Sequence, residues 1–489
     1  MSATPAPAAA ALDRRTLVTV FVLIVGGLAV IFDSTIVSVA LDTIARELGV
    51  PISTVQWVST GYLLALGVAI PIVGWAQARL GGKRLWMLAL TVFLVASIAC
   101  SLAWDASSLI AFRVVQGLGG GLMMPLMTML ALQQVGAGGR AGLGKLMAIV
   151  SLPMALGPIL GPTIGGVILE YLDWSWLFWV NVPFCLVGLA LAWKFLPADR
   201  TAGRAKLDMV GLLLLSPGLV GVLFGLSNAG DEGGFARIDV WGPLAAGAVL
   251  VAAFVAWALP RPNRALVDVR LFGKRAVGSS SMLFLLAGAS LYGAMLLLPL
   301  YFQNIQGLSA LEAGLVLIPQ GVGTLLTRVL AGRLTDSVGG RWVALVGFAV
   351  MGAATVPFAF ADADTSIWLL MGVLLVRGMG LGAVMIPVMS VAYVGLDNAE
   401  VPHASIVTRL AQQLGGAFGT ALLAVILEAN LVGAVDAADA ADAFDAAFWW
   451  AVGFTVVAMG LTFLLPGRTA VRAAAAAAEE REAAAALAE

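Results

Sequence analysis

Long uninterrupted apolar stretches constrain this chain more than any other feature. About twenty residues of helix, rising ~1.5 Å each, cover the ~30 Å of hydrocarbon in a bilayer. Stretches of that kind fall at 16–41, 55–77, 85–104, 108–134, 142–170, 177–196, 208–228, 241–259, 276–302, 310–333, 341–361, 366–394, 403–430 and 446–466. Of the 489 residues 61% are hydrophobic and only 11% charged, where an ordinary soluble domain carries roughly 25% charged. So few ionic groups do not cover the surface of a soluble protein of this size. Lipid needs no such cover, provided that each backbone polar group is satisfied within a helix. The expected fold class is an all-α membrane protein with fourteen transmembrane helices.

Lysine and arginine orient these spans, because loops on the cytoplasmic side carry an excess of them. With the N-terminus inside, only Arg46 and Arg237 fall outside and only Arg113, Arg328 and Arg377 within spans. The other twenty-two of the 27 basic residues, Arg409 among them, lie on the cytoplasmic side or at helix ends facing it. Fourteen crossings return the chain to the side on which it began, so both termini are expected in the cytoplasm. The first 15 residues read as an Ala/Pro-rich tail ahead of an uncleaved first span, since that span is too long for a signal peptide. Residues 467–489, rich in Ala, Glu and Arg, read as a solvated helical tail. Asp436, Asp439, Asp442 and Asp445 form a solvated acidic face before the last span. Trp57, Trp75, Trp104, Trp174 and Trp241 stand mostly near span ends, as an interfacial belt predicts.

The chain repeats itself. Gly74, Arg79, Gly81, Gly82 and Lys83 follow span two; Gly332, Asp336, Gly339, Gly340 and Arg341 follow span ten. In each, a helix-end glycine precedes Gly-Gly-basic by seven residues. Arg113 is followed by a glycine run and Pro125 in span four, and Arg377 by a glycine run and Pro387 in span twelve. Matching elements eight spans apart imply six spans (16–200), two extra with their linkers (201–270), then six more (271–466). Duplicated halves around a central site are a common plan of secondary transporters.

With these motifs the sequence resembles the major facilitator superfamily, and within it the drug:proton antiporters with fourteen spans. The loop after span two is similar to the family's Gly-x-x-x-Asp-Arg-x-Gly-basic-basic signature, with Ala78 at the acidic position; the second copy keeps Asp336. Arg113-Val-Val-Gln116-Gly-Leu-Gly resembles the span-four signature. The span-five run carrying Gly157, Pro158, Gly161, Pro162 and Gly165 resembles the one associated with antiporters. Asp33-Ser-Thr-Ile-Val resembles the first-span signature of the drug-exporting branch, with Asp42 where proline is usual, and Trp176-Leu-Phe-Trp-Val-Asn181 the opening of span six. The resemblance implies a major-facilitator fold and a multidrug or antibiotic exporter in a bacterial cell membrane. It also implies a monomer driven by the proton gradient, whose partners are protons, lipid and a hydrophobic, cationic or amphipathic drug. Proton-coupled symport of a small metabolite is the alternative reading.

Two residues carry the expected chemistry. Asp33 lies well inside span one, where an ionised carboxylate costs at least ~2.5 kcal/mol unless it pairs, meets water or takes up a proton. Such a group suits proton coupling and is also able to attract a cationic drug. Arg113 in span four does not deprotonate and needs a partner; Arg377 is its counterpart, and Arg328 is read as snorkelling. The Gly-Pro steps of span five allow bending and close packing. Tyr62, Gln116, Met124, Tyr292, Gln303 and Gln320 are candidates for the drug pocket. Cys100 and Cys185 read as small buried hydrophobes. The single His403 stands at a helix start, so a histidine metal cluster is not expected. There is no pocket of paired carboxylates, Ser/His constellation or phosphate-cradling loop, and no basic surplus for nucleic acid. The sequence therefore reads as a transporter without cofactor, not an enzyme or an ATP-driven pump.

Overall fold

Without water in the hydrocarbon layer, the backbone satisfies itself in long helices. A computed structural model of the protein describes residues 13–37, 40–50, 52–133, 146, 149–150, 152–197, 207–229, 237–261, 264–397, 400–431, 437–474 and 477. Thirteen helices among them are long and apolar enough to cross a membrane. They are α1 Arg14–Ile36, α2 Trp57–Leu80, α3 Gly82–Ser101, α4 Ala106–Gln133, α6 Trp176–Phe195, α7 Met209–Asn228 and α8 Ile238–Ala258. The second half contributes α9 Arg275–Asn304, α10 Leu311–Ser337, α11 Gly340–Phe360, α12 Ile367–Ala392, α13 Val401–Leu431 and α14 Asp439–Thr462. Helix α5, Leu152–Tyr171, with 20 residues, occupies the fifth expected place. The tails 1–12 and 478–489, Arg140, Lys145, Arg200, Arg204, Lys206 and Asp436 lie outside the described residues, as do the side chains of Asp42, Pro158 and Pro162.

The two halves pack alike. In the first, α1 packs on α5 and α6, α2 and α3 on α4, and α3 on α6; in the second, α9 packs on α13 and α14, α10 and α11 on α12, and α11 on α14. The repeated loops do matching work. Gly81 and Gly339 precede α3 and α11 with φ of 80° and 107°, a backbone region that only glycine enters without strain. Two residues on, Lys83 donates to the carbonyls of Trp193 and Leu196 at the end of α6, at 2.7 and 2.8 Å. Arg341 donates to the carbonyl of Leu465, just past α14, at 3.0 Å through Nε. Each basic residue thus satisfies carbonyls that the last helix of its half leaves open, where a cation also suits the helix dipole.

The halves meet at α5 against α10, at α4 against α13, and at the end of α2 near Gly74 against the start of α13. Helix α7 packs on α2 from one half and α13 from the other, while α8 packs chiefly on α7. Trp57 of α2 stacks on Phe224 of α7 with ring centroids 5.3 Å apart, and Leu226 and Ala229 of α7 join Ala421 of α13 in one apolar cluster. The central pair, to which the sequence assigns no position, therefore covers the seam between α2 and α13. Asp208 fastens it: the carboxylate accepts from the Gly211 amide, the Trp257 indole at 3.2 Å and the Leu266 amide at 3.1 Å. Trp104 and Trp241 are exposed near helix ends as expected, whereas Trp174 is buried against Phe178.

One basic residue sits elsewhere than the sequence reading put it, and the helix bounds define the place of a second. Arg328 is only 4% exposed, so its head does not snorkel to the surface. Arg409, counted with the cytoplasmic charges, lies eight residues inside α13, because that helix starts at Val401. At ~1.5 Å per residue it stands ~12 Å along the helix from its start.

Candidate functional site

One helical turn of α1 brings Asp33 to the inside of the first half, where it has no exposed surface, and Arg113 of α4 reaches it from the side with 1% exposure. Arg113 Nη1 donates to Asp33 Oδ2 at 2.5 Å and to Gln116 Oε1 at 2.7 Å, and Nε donates to the carbonyl of Val58 at 3.0 Å. The other carboxylate oxygen, Oδ1, accepts from Gln116 Nε2 and from Asn181 Nδ2, each at 2.9 Å. Those two amides share a second acceptor, Ser97 Oγ of α3, at 3.1 and 3.0 Å; its hydroxyl donates to the carbonyl of Phe178. The guanidinium carbon lies 4.1 Å from the centroid of the Tyr62 ring. Helices α1, α2, α3, α4 and α6 thus converge on one carboxylate.

Low dielectric strengthens such contacts and makes an unpaired charge costly, so the network fixes both side chains. Protonation of Asp33 removes the charge that holds Arg113 and leaves a buried cation on neutral acceptors. Enclosure also means that a drug does not reach Asp33 in this conformation.

The antiporter-like run of α5 lies against the α1 segment that carries Asp33. Gly157, Gly161 and Gly165 face it in turn: a Cβ on Gly157 would stand 2.2 Å from Ile31 Cγ2, and one on Gly161 2.1 Å from Thr35 Oγ1. These glycines let the two helices approach closely, as small residues do in membrane bundles. Gly161→Ala is expected to push α1 from α5 at a cost of about 1–3 kcal/mol, typical of overpacking. A lowered thermal midpoint in detergent together with reduced transport is the expected result; an unchanged midpoint would contradict the close approach.

The second half carries the same frame without the acid. Ser97 and Thr355 stand fourteen residues after Lys83 and Arg341, and Tyr62 and Gln320 twelve before Gly74 and Gly332. Arg377, 2% exposed, donates to Thr355 Oγ1 at 3.1 Å, to Gln320 Oε1 at 2.6 Å and to the Ser290 carbonyl at 3.2 Å. All three acceptors are neutral. The duplicated arginines are therefore not duplicated ion pairs.

The candidates for the pocket are scattered by the structure. Tyr62 and Gln116 belong to the Asp33 network and Gln320 to Arg377. Met124, 8% exposed, packs toward Gly27 of α1. Gln303 is exposed at the end of α9 and bonds its own helix at Pro299. Tyr292 stands at the seam between the halves, an electrostatic neighbour of Tyr62 and Arg409. Arg79 and Asp336 are exposed, Gly332 is buried, and Gly74 lies near Pro402 and Ile406 of α13. Sequence reasoning missed Ser97 and Asn181 as partners of Asp33, although Asn181 lies in the motif that opens α6; nothing local marks Ser97. Cys100 and Cys185 are buried and free, as expected, and Cys100 Sγ lies 3.7 Å from Gln116 Oε1.

Comparison with known proteins agrees with this fold. A solved double-tryptophan variant of XylE superposes with a TM-score of 0.67 at 17% identity, covering 94% of this chain and 98% of that one. The human organic anion transporter MFSD10 superposes with 0.64, also at 17% identity, covering 92% and 100%. These likenesses concern the fold alone. In sequence, the chain is 38% identical over 418 residues to the multidrug resistance protein B homolog of Mycobacterium tuberculosis strain H37Rv, covering 85% of this chain and 77% of that protein. It is 30% identical over 407 residues to the lincomycin resistance protein LmrB of Listeria monocytogenes, covering 83% and 85%. The family model of the Major Facilitator Superfamily matches residues 23–420. The chain is thus a multi-pass membrane transporter rather than an enzyme, and it belongs to the major facilitator superfamily.

Proposed function

We propose that the protein exports hydrophobic or amphipathic drug-like molecules across a bacterial cell membrane in exchange for protons, as a monomer with both termini in the cytoplasm. The observation that carries this reading is the enclosed Asp33–Arg113 pair, set in a chain whose relatives are named for multidrug and lincomycin resistance. A buried carboxyl that changes charge on taking up a proton is able to link a proton gradient to a change in packing without a cofactor. Protonation of Asp33 frees Arg113 from its counter-ion and loosens the contact among α1, α4 and α6. Because α5 rests on the same turn of α1 and also touches α10, the change reaches the seam between the halves and switches the side to which it opens. Deprotonation on the far side restores the pair.

The test is transport in proteoliposomes with an imposed pH gradient. A lipophilic dye should move against its own gradient toward the acidic compartment, and a protonophore should stop it. Accumulation of the dye in the opposite direction would replace export by symport, and transport indifferent to the protonophore would remove the proton from the cycle.

A further inference from the structure

Besides Arg328 and Arg377, a further helix-borne charge lies outside the Asp33 network, on α13. Arg409 Nη1 donates to Gln412 Oε1 at 3.1 Å, three residues along the same helix face. That bond fixes the amide: with Oε1 turned to the guanidinium, Nε2 is the end that remains. Gln412 is 4% exposed, and Nε2 is buried with no acceptor among the described residues. A buried donor left without a partner is costly and asks for an oxygen to complete it. The Tyr292 ring of α9 lies one turn further on, where a Cβ on Gly416 would stand 2.5 Å from its Cδ2. Tyr292 and Arg409 are electrostatic neighbours. Both are packed among neighbouring helices and yet keep part of their surface accessible. The first half faces them across the seam with Tyr62, whose hydroxyl is also buried without a partner among the described residues.

The donors here are a guanidinium, an amide and phenols, while Asp33, the charge expected to draw cations, is enclosed behind Arg113. We infer that Arg409, Gln412 and Tyr292 form a substrate subsite on α13 that takes the carboxylate of an acidic amphipathic molecule. One carboxylate oxygen accepts from Gln412 Nε2 beside the Arg409 charge, and the apolar body lies toward the tyrosines. The inference rests on the transporter reading above, but it needs neither the proton nor the direction of transport. It also separates two tasks by half: Asp33 in the first half handles the proton, and α13 in the second handles the anionic group.

Binding, measured apart from transport, tests it. Pyrenebutyrate and its methyl ester differ by the one negative charge, and both report binding by energy transfer from tryptophan in the purified full chain. The acid is expected to bind at least ~10-fold more tightly than the ester, as charge-assisted hydrogen bonds suggest. Gln412→Leu should cut that preference severalfold, and Arg409→Met should abolish it, with ester binding kept in both. Gln412→Leu carries no charge change, so it reads the subsite even if Arg409→Met fails to fold. Equal binding of acid and ester to the unaltered protein, or an undiminished preference in Gln412→Leu, would overturn the subsite. Tight, charge-dependent binding without export of any probe would leave the subsite standing and sink the exporter reading instead.

Discussion

Asp33→Asn is expected to abolish transport driven by a pH gradient while leaving counterflow of substrate between equal pH compartments in place. The substitution keeps the shape and one acceptor for Arg113, so the neighbours at Gln116 and Asn181 stay close to their positions. What it removes is the ability to exchange a proton. Counterflow needs only that the two halves rock around a bound substrate, and the variant resembles the protonated state in charge. Uphill accumulation should therefore fall to the level of empty vesicles, whereas exchange of labelled for unlabelled substrate should continue. Persistent uphill transport in Asp33→Asn would move the coupling group elsewhere. Loss of both activities with an unchanged thermal midpoint would make Asp33 a substrate contact instead.

The second large effect concerns stability and distinguishes the two halves. Arg113→Met leaves a carboxylate buried without its cation, a change that typically costs about 3–5 kcal/mol when a buried pair is broken. Adding Asp33→Asn removes the stranded charge, so the double variant should recover a good part of that loss. A double-mutant cycle should give a coupling energy toward the upper end of the ~0.5–3 kcal/mol seen for contacting residues. Arg377→Met should behave differently. Among the described residues its guanidinium meets neutral oxygens, so removing it strands no opposite charge, and a loss smaller than that of Arg113→Met is expected, about 1–3 kcal/mol from the buried acceptors left unpaired. Equilibrium unfolding in mixed micelles measures all four variants. Equal losses for Arg113→Met and Arg377→Met would contradict the asymmetry of the halves.

That asymmetry shows where sequence reading reached its end. Asp33 and Arg113 stand out as charges in apolar runs, and each announces that it needs a partner. Their pairing is not written in either run, since 80 residues separate them and only the lateral packing of α1 against α4 brings them to 2.5 Å. Ser97 and Asn181 carry no charge, so their burial leaves no mark in composition. The polar and aromatic residues expected to line one pocket stand at different places in the fold, because a residue's type does not say which face of its helix it occupies.

The sequence by itself determined the number and order of the long helices, the repeat that relates the halves, and the buried charges that need explaining. These follow from local rules: a helix that crosses lipid must be apolar along its length, and an intramembrane charge must be compensated. Only the tertiary structure decided which helices touch, and hence that the first arginine meets a carboxylate and the second meets neutral oxygens. It also decided that α7 covers the seam between α2 and α13, and that α13 turns a guanidinium and an unfilled amide donor inward. Helix rotation and side-by-side placement depend on which faces fit together, and the close approach of Gly161 to Thr35 is a property of two helices at once.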